Sequence, residues 1–143
     1  MKFKGRAIYT DDIKGEALVS KKGVNLLATY FEGIPKKDKR SLDANNEYTY
    51  KKEIAGKVLI VPECIGSTTA GMMLEAASAN DIAPKAILFE NHIDTLASAG
   101  IVLSKIWAGK TIYAIDNIGD GITEKINSGD MVEIKKDGSI FVK

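Results

Sequence analysis

Cysteine, histidine and tryptophan each occur once in these 143 residues, as Cys64, His92 and Trp107. A single cysteine excludes an internal disulfide and fits a reducing compartment, so a cytoplasmic location is expected. One cysteine and one histidine leave no cluster within the chain for a zinc or iron–sulfur centre. Charge of one sign is also missing: 20 Lys and Arg stand against 19 Asp and Glu, a net +1. That balance carries no electrostatic footprint for nucleic acid or for an acidic membrane surface. No apolar run reaches membrane-spanning length. Met1 to Arg6 carries charge with no apolar stretch behind it, so no secretory signal is expected. Repeats and low-complexity segments are absent. What is present is ordinary for a soluble globular protein, 45% hydrophobic and 27% charged residues. The length suits one domain, residues 1–143, with a real core.

The most informative stretch runs from Val58 to Glu75. Val58-Leu59-Ile60-Val61 is a β-branched apolar run and reads as a buried strand. Pro62 ends it, because proline cannot donate to a ladder. Gly66, Ser67, Thr68 and Thr69 follow, and then Ala70 to Asn80, rich in good helix formers. The pattern is strand, hydroxyl-rich turn, helix. Free N–H groups and a positive dipole end at a helix start make such a turn a site for an anionic group. The same hydroxyls also serve as ordinary N-caps, one of which would suffice.

In chain order, Phe3–Tyr9 and Glu16–Lys21 read as strands joined by a turn at Asp11, Asp12 and Gly15. Asn25–Phe31 reads as a third strand. From Glu32 to Glu53 the pattern dissolves into a long loop with a solvated charge run, Lys36 to Arg40. Lys85–Glu90 is a strand, and His92–Ala99 a short helix capped by Asn91 and closed by Gly100. Ile101-Val102-Leu103 and Thr111–Ile115 read as strands, with Trp107 between them as a core or interface anchor, a role shared by Tyr113. Ile122–Asn127 makes one or two helical turns. Asp130–Lys135 and Ser139–Val142 form a hairpin around Asp137-Gly138. The middle thus alternates strand and helix, which implies right-handed parallel crossovers, and the ends supply antiparallel, barrel-like strands. The expected fold is α/β, a layered β/β/α domain.

Several of these segments occur in the order and spacing of a known family. Gly5-Arg6, Gly15-Glu16-Ala17-Leu18-Val19-Ser20, Gly56 to Pro62, Gly66-Ser67-Thr68-Thr69-Ala70-Gly71, Ala83-Pro84-Lys85-Ala86-Ile87, Ala99 to Leu103 and Ser128 to Ile134 resemble the small subunit, or swivel domain, of aconitase X-type dehydratases. The likeness spans nearly the whole chain. It implies a swivelling β/β/α domain paired, as a heterodimer, with a large catalytic subunit that carries the iron–sulfur cluster, no cofactor being bound by this chain alone. Characterised members of the family act on mevalonate 5-phosphate or on hydroxyproline isomers. Ser67 corresponds to the family's catalytic serine, and Gly66, Thr68 and Thr69 to the substrate-binding turn that positions it.

The chemistry implied is the dehydration of a small hydroxy acid. A base removes the proton beside the carboxylate, and a Lewis-acidic iron takes the leaving hydroxyl. Serine is a weak base at its ordinary pKa, so its activation requires cationic groups or N–H donors. This chain has no adjacent His or Lys for that task. It also departs from the family at Ala28 to Ile34 and at Glu63-Cys64-Ile65, so neither substrate carries over. Cys64 reads as a small buried hydrophobe, His92 as a surface residue, and Lys57 as a solvated strand-start residue. A non-catalytic binding module that retains the swivel fold is the alternative reading.

Overall fold

Burial on both faces of a strand demands a layer above and a layer below, and Val58–Val61 (β5) is buried at all four positions. The computed structural model describes residues 1–143. It places β5 beside Ile13–Val19 (β3) on one flank and Ala86–Phe89 (β7) on the other, all parallel. Tyr113–Asp116 (β8) continues the parallel set next to β7. Met131–Ile134 (β9) and Ser139–Val142 (β10) form the expected hairpin and add antiparallel to β3.

The first strand differs from expectation. Phe3–Tyr9 is divided at Gly5 into Lys2–Lys4 (β1), which pairs with β10, and Arg6–Tyr9 (β2), which pairs with β8. The eight-stranded order is β1-β10-β9-β3-β5-β7-β8-β2, so consecutive strands occupy opposite ends of the sheet and nearly close it into a barrel. Glycine is required at the seam, because a Cβ on Gly5 would lie 2.4 Å from the Asp116 carbonyl oxygen. Gly15, expected in a turn, lies inside β3.

Alternate residues of the central strands feed two cores. Val58, Ile60, Ala86, Leu88 and Ile115 point into the barrel with Phe3, Val132, Ile134 and Ile140. Leu59, Val61, Ile87, Phe89 and Ala114 face the helices. Those helices are Leu26–Tyr30 (α1), Ala70–Ala79 (α2) and Thr95–Trp107 (α3); a short fourth, Ile122–Lys125 (α4), belongs to the barrel side. Each fully buried Leu, Ile or Phe in these layers contributes about 1.5–3 kcal/mol from burial.

Three further expectations are corrected. Asn25–Phe31 is not a strand: Asn25 Oδ1 accepts the Ala28 N–H at 3.1 Å and caps α1, which buries Leu26, Thr29 and Tyr30. Ile101-Val102-Leu103 is not a strand either. It lies within α3, which runs through Gly100 instead of stopping there, and which is capped by Asp94 and not Asn91. Trp107 is 71% exposed and is not a core residue. α2 and α3 pack side by side through Gly71 and Gly100; a Cβ on Gly100 would come within 2.8 Å of the Gly71 carbonyl oxygen.

Candidate active site

In an open parallel arrangement, the loops leaving the carboxyl ends of the strands gather on one edge, where ligands bind. Here that edge carries Ser20 after β3, Pro62 and Glu63 after β5, Glu90 and Asn91 after β7, and Asp116 closing β8. It is tied together by backbone and side chain. Glu90 N–H donates to the Val61 carbonyl at 2.9 Å, and the Asn91 side chain donates to Glu63 at 3.1 Å. Asp116 is fully buried. It accepts a two-pronged Arg6 guanidinium at 2.8 and 2.7 Å and the Ile93 N–H at 2.8 Å. Burial pushes the Asp116 carboxyl up, but the Arg6 and Ile93 hydrogen bonds and the Arg6 charge outweigh that and hold it below its ordinary value.

The chain does not pass straight from β5 into α2. Cys64–Ile65 (β6) first swings out and pairs in parallel with Val24–Asn25 (β4). Gly66 then turns the backbone at φ +108°, with its Cα against the Asn25 amide. Any side chain at Gly66 would be strained by that φ and would also strike Asn25, at 2.6 Å from its Nδ2. Ser67 follows, half-buried, and then exposed Thr68 and half-buried Thr69 at the start of α2.

The hydroxyls do not cap α2 in the ordinary way. Thr69 occupies the N-cap position without a side-chain cap bond, and the amides of Gly71 and Met72 take no acceptor from the chain. Instead the Thr69 N–H donates to Ser67 Oγ at 3.2 Å, and the Thr69 hydroxyl sits 2.9 Å from the same oxygen. The Ala70 N–H donates to the Ser67 carbonyl at 3.0 Å. The Thr69 N–H and the Thr69 hydroxyl therefore both meet Ser67 Oγ, the first as a donor, beside a helix N-terminus with free N–H groups.

The other residues singled out from sequence lie elsewhere or serve structure. Cys64 is buried, and burial together with the charges of Asp94 and Glu63 pushes its thiol up. His92 is exposed and donates from Nδ1 to the Ile93 carbonyl at 2.7 Å. Lys57, at the opposite end of β5, pairs with Glu16. No Lys, Arg or His side chain is hydrogen-bonded to Ser67, Thr68 or Thr69. No group of three His, Cys, Asp or Glu side chains is placed to hold a metal ion. No helix is long and apolar enough to cross a membrane. The sequence gives no sign that Asn25 lies beside Gly66, because the pairing that brings it there is only two residues long.

A family model described as the aconitase X swivel domain matches residues 2–142. The chain belongs to that family. Its aconitase X relatives include the phosphomevalonate dehydratase small subunit of Thermococcus onnurineus, 32% identical over 138 residues, covering 96% of this chain and 94% of the relative. The protein of the same name from Pyrococcus horikoshii is 30% identical over 141 residues, covering 98% and 100%. The crystal structure of Thermococcus kodakaraensis aconitase X in its holo form superposes with a TM-score of 0.83 at 27% identity, covering 100% of this chain and 98% of that one. The aconitase X swivel fold, with its nearly closed sheet and parallel centre, is the architecture expected from the sequence.

Proposed function

We propose that this chain is the small subunit of an aconitase X-type hydro-lyase, which together with a large iron–sulfur subunit dehydrates a small hydroxy acid, with Ser67 as the catalytic base. The observation that carries the reading is the Thr69 N–H donated to Ser67 Oγ, with the Thr69 hydroxyl 2.9 Å from the same oxygen, at the start of α2. Hydrogen bonds to the ionised form and the positive end of a helix dipole both favour an alkoxide. This turn therefore supplies from its own backbone and hydroxyls part of the activation that no neighbouring cation supplies. Gly66 gives the turn its backbone path, and Thr68, exposed beside Ser67, faces the substrate with Thr69.

In the reaction, Ser67 Oγ takes the proton from the carbon beside the substrate carboxylate. The electron pair left behind forms the carbon–carbon double bond, and the C–O bond on the neighbouring carbon breaks to release hydroxide. Ser67 returns its proton to that hydroxide, which leaves as water. The aconitase X family to which the chain belongs supports a cluster held by the large subunit. Met72, Val102, Ile106 and Trp107 lie exposed on α2 and α3, an apolar surface suited to that partner.

The relatives named above point to phosphomevalonate as the first substrate to assay, followed by a panel of other hydroxy acids. The test is co-expression with the large subunit and anaerobic assay of the complex. Ser67→Ala is expected to abolish turnover, by at least ~10³-fold, while the complex still assembles, as for loss of an essential proton-transfer group. Near-normal activity in that variant removes Ser67 from the mechanism. A wild-type complex that dehydrates no member of the panel favours the binding-module reading.

A further inference from the structure

Asn25 stands 42 positions before Ser67 in the sequence, yet its side chain touches the catalytic turn. The parallel pairing of Val24–Asn25 with Cys64–Ile65 fixes its backbone, with Asn25 opposite Ile65. The Asn25 carbonyl accepts the Thr29 hydroxyl at 2.7 Å, and Oδ1 accepts the Ala28 N–H at 3.1 Å. That second bond settles which end of the amide is which: Oδ1 points into the helix, so Nδ2 points away from it. The amide as a whole lies against Gly66, with Cγ and Nδ2 2.6 Å and Oδ1 2.8 Å from where a Cβ on that residue would stand. Nδ2 has no hydrogen-bond partner in the protein, and it is not among the buried side-chain atoms left without one, so its N–H donors reach solvent beside the Ser67 turn.

We propose that Asn25 is a second catalytic residue of this site, whose Nδ2 donates to the carboxylate of the hydroxy acid. The inference rests on the proposed dehydratase activity and adds a residue to it. The proton taken by Ser67 comes from the carbon that bears the carboxylate, so the carboxylate sits next to the base. As the proton leaves, negative charge builds on the carboxylate oxygens, and a fixed donor there stabilises the transition state more than the ground state. A carboxylate only accepts hydrogen bonds, and Nδ2 only donates them. The amide is held in place by its other oxygen, so it needs no reorganisation when charge develops.

The experiment uses the complex with the large subunit, assayed with phosphomevalonate and then with the hydroxy-acid panel. Asn25→Ser and Asn25→Asp both retain a good N-cap for α1 and both remove the amide donor. The expected result is a fall in kcat of roughly 100-fold with little change in KM, as for loss of one preorganised donor. The deuterium isotope effect at the abstracted position is expected to rise, a readout that a purely structural role of Asn25 would not move. If Ser67→Ala is inactive but both Asn25 variants stay within threefold of wild type, the role of Asn25 is overturned while the dehydratase reading stands. If wild type turns over no substrate, the dehydratase reading fails and takes this inference with it.

Discussion

Replacing Gly100 by alanine tests whether the approach of α2 and α3 is as demanding as it looks. The added methyl would meet the Gly71 carbonyl oxygen at 2.8 Å, Leu74 Cβ at 2.9 Å and Gly71 Cα at 3.1 Å. Two of these three are backbone atoms, which cannot swing aside like the tip of a side chain. The helices must separate by roughly 0.5–1 Å to restore ordinary contact, and the layer of Leu74, Ala97 and Ile101 between them loosens. Overpacking of this kind costs about 1–3 kcal/mol. Alanine in a helix interior returns about 1 kcal/mol relative to glycine. The net expectation is a loss of up to about 2 kcal/mol, or a thermal midpoint lowered by up to roughly 8 °C for a chain of this size. Calorimetry of the isolated chain measures it. Gly71→Ala, whose methyl would meet the Leu96 carbonyl at 2.8 Å, is expected to cost about as much alone and much less once the helices have already parted. A Gly100→Ala protein that melts at or above the wild-type temperature would refute the reasoning, since helix propensity would then outweigh the contact.

Two further outcomes follow from the buried groups. The Asp116 carboxyl sits below its ordinary value, so it contributes stability above the unfolded-state pKa, and that contribution is lost as pH falls through the lower folded-state value. Arg6→Gln, which removes the charge and the two-pronged contact, is expected to move the acid-unfolding midpoint upward, read by circular dichroism from pH 6 to 2; an unchanged midpoint would show that the Ile93 N–H alone holds the carboxylate. Cys64 is buried with its thiol pushed up, so a disulfide reagent at pH 8 is expected to leave it unmodified in the native chain and to label it fully in guanidinium; rapid native labelling would contradict the packing around β6.

Where sequence patterns agreed with the structure, local preference and tertiary packing made the same demand. Val58–Val61, Ala70–Ala79 and the hairpin at Asp137-Gly138 are of this kind. Asn25–Phe31 reads as a strand because its aromatic and β-branched members favour one, while the Asn25 cap and the burial of Leu26, Thr29 and Tyr30 at helical spacing make it a helix. Gly100 reads locally as a helix stop, yet it lies inside α3 because a close neighbour, Gly71, leaves no room for a side chain. The strand–turn–helix pattern points to the turn at Gly66 to Thr69, and Ser67 within it is singled out by the family resemblance. Asn25 has no such signal, since two-residue strands such as β4 and β6 carry no periodicity to read.

The seam at Gly5 also bears on how the molecule assembles in time. Residues 2–9 find their partners only in Tyr113–Asp116 and Ser139–Val142, so the first strands synthesised pair with nearly the last. Contacts of such long sequence separation form late and slow a folding reaction. Until the final hairpin leaves the ribosome, β1 lacks a neighbour and the flank of β3 that β9 will cover stands as an open edge, able to pair with another nascent chain. The closed sheet therefore works as a clasp whose two halves lie more than 100 residues apart along the chain, and it shuts only once both have been made.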